Sequence, residues 1–146
     1  VIARKIIILA PNDTSMGVVQ ASTVKLPGEG FWRLVLVSAY FNAAAAAAAP
    51  SVDFRVVDSQ NVMYAGGQMP CGVAGFDSDV AWQKDGQAHV PTVDTQVALQ
   101  ACPSQVLDCN RGLSLVLTGN AGADVAQLTR IRVTLEQMAQ DDGAKL

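Results

Sequence analysis

His89 is the single histidine of this 146-residue chain, and histidine is the side chain best suited to proton transfer or metal binding near neutral pH. Alone it cannot build a multi-histidine metal centre. It could assist a nucleophile, but the sequence has no Gly-x-Ser-x-Gly elbow. Lying just after Asp85-Gly86, a favoured hairpin dipeptide, it is expected on a solvated strand edge. Cys71, Cys102 and Cys109 would make four zinc donors with His89, yet no two of these residues have the short spacing on which zinc sites are built. The odd cysteine count fits small buried free thiols; a Cys102–Cys109 disulfide around Pro103 is the alternative. Asp77-Ser78-Asp79 offers two carboxylates without the spaced acidic loop of a calcium site, so it reads as a polar turn. Gly28-Glu29-Gly30 lacks the third glycine of a dinucleotide loop, and no Gly-x-x-x-x-Gly-Lys occurs. Asn12-Asp13-Thr14 would accept a glycan only in a secretory setting. No catalytic residue, metal ligand or cofactor is assigned on these grounds, and the chain is not expected to be an enzyme.

What remains is surface recognition, and composition bears on it. Charged residues make up 16% of the chain, apolar residues 50%, and the net charge is −3. Soluble domains carry about 25% charged residues, so a chain this neutral is expected to cover part of its surface with other protein. The acidic balance, with Lys and Arg scattered singly, argues against nucleic acid and against an anionic membrane as partners. No run reaches the roughly 20 apolar residues of a membrane-spanning helix. Val1–Ala10 also lacks the order of a signal peptide.

The elements that must position any such surface are strands. Ile131, Val133 and Leu135 alternate with Arg130, Arg132, Thr134 and Glu136, and Leu113, Leu115 and Leu117 alternate with Ser114, Val116 and Thr118. Both runs have the period of two that gives a strand one dry face. Val52–Val57 and Val62–Ala65 flank Asp58-Ser59-Gln60-Asn61 as a hairpin, with Gly66-Gly67 expected to end it. Val80–Gln83 and Gln87–Val90 flank Lys84-Asp85-Gly86 as a second. Val93–Leu99 and Val18–Leu26 are further alternating runs. Ala43–Ala49 reads as a short helix or connector, or as stand-ins for unidentified side chains. About eight or nine short strands with evenly spaced turn signals predict an all-β, two-sheet antiparallel sandwich, a jelly roll by strand number. One domain is expected over 1–139, with 1–10 as a pairing arm and 140–146 as a polar tail.

Two segments stand out from this grammar. In Phe31–Phe41, Trp32, Leu34 and Leu36 share one parity while Val35, Val37 and Phe41 share the other. Strict alternation would make both faces of that strand dry, so it is expected either at a subunit contact or under a loop of its own domain. Ile6-Ile7-Ile8-Leu9 would be a hazard as a bare edge unless it pairs within the domain or with a neighbour. The residues assigned to a protein interface are therefore Ile6, Ile7, Ile8, Leu9, Val35, Val37 and Phe41. Trp32 and Trp82 are expected in the core; were they exposed, they would suit a sugar-stacking platform.

The length, the all-β pattern, the Ala/Val/Gly/Thr-rich composition and the missing chemistry resemble the jelly-roll cement (decoration) proteins of tailed bacteriophage capsids. The likeness runs over most of the chain and carries no individual functional residue across. It implies a structural virion protein on the outer shell, made in the host cytoplasm. Such a protein braces major capsid subunits and assembles with copies of itself as a dimer or trimer, without touching nucleic acid or membrane. The alternative is a β-sandwich glycan- or receptor-binding module of the tail-fibre or adhesin kind.

Overall fold

The computed structural model describes residues 5–9, 19–42, 51–70, 78–84, 97–120 and 127–138. His89, Cys71, Asn12-Asp13-Thr14, Asp77, Asp85-Gly86, Ala43–Ala49 and the 140–146 tail lie outside the described residues. The described strands, in chain order, are β1 (Ile6–Leu9), β2 (Val19–Lys25), β3 (Phe31–Asn42), β4 (Ser51–Val57), β5 (Met63–Pro70), β6 (Ser78–Gln83), β7 (Val97–Ala101), β8 (Val106–Asp108), β9 (Ser114–Asn120) and β10 (Gln127–Met138). A short 3-10 turn at Cys109–Arg111 follows β8.

The pairing is nested. β1 pairs β10, β2 pairs β9, β3 pairs β6 and β4 pairs β5, all antiparallel. These four pairs are the rungs of one long hairpin closed at its tip by the β4–β5 turn. Rolling that hairpin brings β10 beside β3 and β9 beside β4. One sheet (sheet A) then runs β1-β10-β3-β6-β7, and the other (sheet C) runs β2-β9-β4-β5. This is the jelly-roll winding of two facing sheets. β7 departs from the antiparallel expectation by adding parallel to β6, and β8 pairs the start of β3.

One core fills the space between the sheets. Phe54 of β4 meets Trp82 of β6 edge-on, with ring centroids 4.8 Å apart. The contact adds to the burial of two large rings. Gly119 of β9 lies against Phe41: a Cβ there would sit 2.7 Å from Phe41 Cε2. Gly67 of β5 is pressed the same way onto Trp82 and Phe54. That contact explains why Gly66-Gly67 does not end β5 as expected. The second glycine lets the strand pass close over the indole, and pairing continues to Pro70 opposite Ser51. The β4–β5 turn has the expected residues. Asp58 Oδ1 accepts from the backbone N–H groups of Gln60 (2.9 Å) and Val62 (3.0 Å), and its Oδ2 accepts from the Tyr64 hydroxyl (3.0 Å). Asn61 takes the left-handed conformation (φ 63°), which asparagine tolerates better than most residues.

The apparent two-sided dryness of β3 has a different origin from the one expected. Opposite β10 the register runs Leu34↔Leu135 and then Leu36↔Thr134. Val35 is therefore an extra residue on β3, a β-bulge. An inserted residue reverses side-chain parity, so Trp32 and Leu34 before the bulge and Val37, Ala39 and Phe41 after it all face the same core. A second bulge at Arg130–Ile131 of β10, with Arg130 at φ 54°, corrects the partner strand in the same way, carrying the inward set from Leu128 to Ile131. Val37 and Phe41, expected at an interface, have no exposed surface and belong to the core of their own domain.

Candidate protein interface

The outward residues of sheet A form rows across the strands. One row crosses Ile6 of β1, Glu136 of β10, Arg33 of β3 and Val106 of β8. The next crosses Ile8, Thr134, Leu36 and Gln83. A third crosses Arg132, Ser38, Ala81 and Leu99. Ile6 and Ile8 are 64% and 66% exposed, whereas Val106, Leu36 and Leu99 are half-buried and Ala81 is buried. The result is a mixed surface on which these apolar side chains are interleaved with two hydroxyls, a glutamine and three charges.

Those charges are largely paired. Arg33 Nη2 donates to Glu136 Oε2 at 2.8 Å, and Lys84 Nζ lies 3.9 Å from the same oxygen. The Arg130 guanidinium sits 5.2 Å from the centre of the Tyr40 ring, a cation–π distance. Beside Tyr40, a shallow hollow of ≈170 Å³ is lined by Ser38, Asp79, Ala81, Leu99 and Arg130. It is smaller than the roughly 300–1,000 Å³ of ligand sites. A second hollow of ≈340 Å³ is lined by Glu29, Gly30, Phe31, Asn110, Gln137 and Met138. Asn110 Oδ1 there already accepts the Gly30 N–H at 3.2 Å. Ser38 and Tyr40 bring hydroxyls to the first hollow, and no histidine lines either one among the described residues.

The interface residues expected from sequence divide three ways. Ile6 and Ile8 are exposed on the outer face of sheet A. Ile7 and Leu9 turn inward and pack, half-buried, against the core, because β1 pairs within the domain along β10. Val35 is the bulge residue, half-buried, and its carbonyl accepts the Lys84 N–H at 2.8 Å. Val37 and Phe41 are not available to a partner. Leu36, Val106 and Leu99, not assigned from sequence, also lie half-buried on this outer face. Strict alternation put Leu36 with the core residues Trp32 and Leu34, and the bulge alone moves it outward.

The remaining candidates for chemistry are structural. Cys102 and Cys109 are buried free thiols. Burial pushes their pKa values up to about 12 and about 11, respectively, which leaves them protonated and unreactive near neutrality. Trp32 and Trp82 are both in the core. The Trp32 indole N–H donates to the Glu29 carbonyl at 2.9 Å. Among the described residues no group of three or more His, Cys, Asp or Glu could hold a metal ion, and no helix is long and apolar enough to cross a membrane.

No family model and no curated protein matches this chain. Among solved structures, it is similar to an agarase at a TM-score of 0.42 and 7% identity, over 95% of this chain. The chain spans 23% of that agarase. A likeness this distant does not support an enzymatic function.

Proposed function

We propose that this protein is a structural component of a virion's outer shell, a cement protein that braces major capsid subunits through protein–protein contacts. The observation that supports the reading best is the set of apolar side chains on the outer face of sheet A, running from exposed Ile6 and Ile8 through Leu36 and Val106 to Leu99. Apolar side chains exposed together on one face are a common mark of a protein contact site. The paired state of Arg33, Glu136 and Lys84 lowers the cost of covering that surface. A cement function needs no catalytic group. It needs a rigid sandwich and a modest contact, which shell symmetry repeats many times.

Mass spectrometry of purified native particles tests the setting: the chain is expected there in fixed ratio to the major shell subunit, and its absence overturns the reading. Binding to shells stripped of the protein tests the surface. Leu36→Asp with Leu99→Asp should abolish binding, whereas Thr23→Asp with Val116→Asp on sheet C should leave it intact.

A further inference from the structure

Among the described residues, one side of the β1 backbone has no neighbouring strand. The Gln137 N–H donates to the Lys5 carbonyl at 2.8 Å, in register with Ile6↔Glu136 and Ile7↔Leu135. In an antiparallel ladder alternate residues turn both polar backbone groups toward the same neighbour. Lys5, Ile7 and Leu9 therefore spend theirs on β10, while Ile6 and Ile8 direct theirs away from the sheet. Among the described residues no strand lies beyond that edge. Two other sheet edges carry residues that natural edges use to discourage pairing: β2 carries Lys25 and β5 carries Pro70. β1 has an apolar side chain at each of its four positions.

We propose that β1 of one copy pairs antiparallel with β1 of a second copy, about a twofold axis at Ile7, so that Ile6 of each lies opposite Ile8 of the other. The register follows from the direction of these backbone groups and the side chains beside them. It is the pairing in which the outward N–H and C=O of both Ile6 and Ile8 find each other, leaving none of them unmatched within the strand. The twofold axis stands perpendicular to the sheet, so side-chain faces are kept. The exposed Ile6 and Ile8 of both copies become cross-strand neighbours on one continuous outer face. The half-buried Ile7 meets its own counterpart on the inner side, closing the flank of the core where its burial is incomplete. Lys5 falls opposite Leu9, so no like charges face each other. A self-complementary strand is what a twofold contact requires. The pairing does not depend on the cement reading, because a dimer of this kind would form in the isolated protein.

Molar mass in solution, measured by light scattering across the micromolar range, provides the test. The unmodified chain should give twice 15.3 kDa. Ile6→Lys with Ile8→Lys sets ammonium opposite ammonium across the axis, which is destabilising, and should give the monomer mass. Ile6→Lys with Ile8→Glu sets opposite charges across the same axis and should keep the dimer. A monomeric unmodified chain, or two double variants that behave alike, would overturn the proposal. The side chains replaced are exposed, and circular dichroism checks that each variant is folded. Independently, Ile7→Cys in a Cys71→Ser background should form an intermolecular disulfide on oxidation, because a non-hydrogen-bonded pair brings Cα atoms to about 4.5 Å, within disulfide reach. Leu9→Cys in the same background should not. The reverse result would sink the register. Loss of shell binding with the dimer intact would instead count against the cement reading alone.

Discussion

The outer faces of the two sheets are built on the same core but present different residues. On sheet C the outward rows read Ala21, Thr118, Asp53 and Gln68, then Thr23, Val116, Arg55 and Gly66. Thr23, Lys25, Asp53, Arg55 and Gln68 are all exposed. Its large exposed apolar side chains, Val62 and Met63, stand at the β4–β5 turn and not across the strands. On sheet A the outward rows interleave Ile6, Ile8, Leu36, Leu99 and Val106 with polar residues, and Arg33 and Lys84 are paired to Glu136. One jelly roll thus offers a face of mainly polar, solvated side chains and a face with more apolar ones. The asymmetry teaches where to look for a partner, and it can be broken by experiment.

The largest effect should come from the residue pair that separates outward from inward on β3. Phe41→Ala should cost about 3–5 kcal/mol in denaturant unfolding, because it empties a fully buried aromatic site against Gly119. Leu36→Ala, on the outward face five residues earlier, should cost at most about 1 kcal/mol. Equal costs would mean that Leu36 is core and that the apolar face is narrower than drawn.

A second test addresses what holds the faces apart. Gly67→Ala would place a methyl 2.7 Å from Trp82 Nε1 and 2.9 Å from Phe54 Cε1. Overpacking of this kind should cost about 1–3 kcal/mol. Gly28→Ala meets nothing within 4 Å and should leave the midpoint nearly unchanged. If both variants unfold at the wild-type midpoint, the sheets are not locked at Trp82.

Much of this architecture was legible from periodicity. The alternating apolar runs fell on β2, β4, β9 and β10, the Asp58–Asn61 turn closed the hairpin it was expected to close, and both tryptophans were placed in the core. Winding was less accessible. Strand number suggests a jelly roll, but the nested pairing and the parallel addition of β7 depend on contacts between residues far apart in the chain. The exposure of the residues assigned to an interface was only partly legible. Ile6 and Ile8 stand out as members of a run of three consecutive β-branched residues, Ile6-Ile7-Ile8, that follows Arg4-Lys5. Val37 and Phe41 were misplaced for one reason: a single-residue bulge at Val35 reverses parity, and two half-strands that share a core then look like one strand with two dry faces. The signal was the change of parity between Leu34 and Val37 in one run. A bulge accounts for that change as readily as a buried central strand does.

Acid provides a smaller test, confined to the sheet C side. Hydrogen bonds hold the Asp58 carboxyl below its ordinary value of 3.8, first from the Val62 N–H and then from the Gln60 N–H and the Tyr64 hydroxyl, with the Arg111 charge adding to them and partial desolvation opposing. A depressed folded-state value means the stabilisation is fully present above the unfolded value and is lost as pH falls through the folded one. Stability should therefore drop below about pH 3.8 with a contribution that Asp58→Ala removes. A pH titration of the unfolding midpoint that is unchanged by Asp58→Ala would show that the turn does not need its carboxylate.

The smallest effect belongs to the ion pair on the apolar face. Arg33 and Glu136 are each about one-fifth exposed and bond at 2.8 Å, so a double-mutant cycle of Arg33→Ala and Glu136→Ala should return a coupling of about 0.2–1 kcal/mol in the free protein, shrinking with added salt. The size of that number matters less than how it changes. If the outer face of sheet A is covered by a partner, the pair loses water on its open side and its attraction is less screened. Removing one member would then leave a charge without its counter-ion in a buried contact. Each single variant should consequently weaken partner binding by more than its effect on folding, while the double variant recovers part of that loss. On sheet C the solvated Asp53 and Arg55 should show neither effect, since neither is expected to leave water.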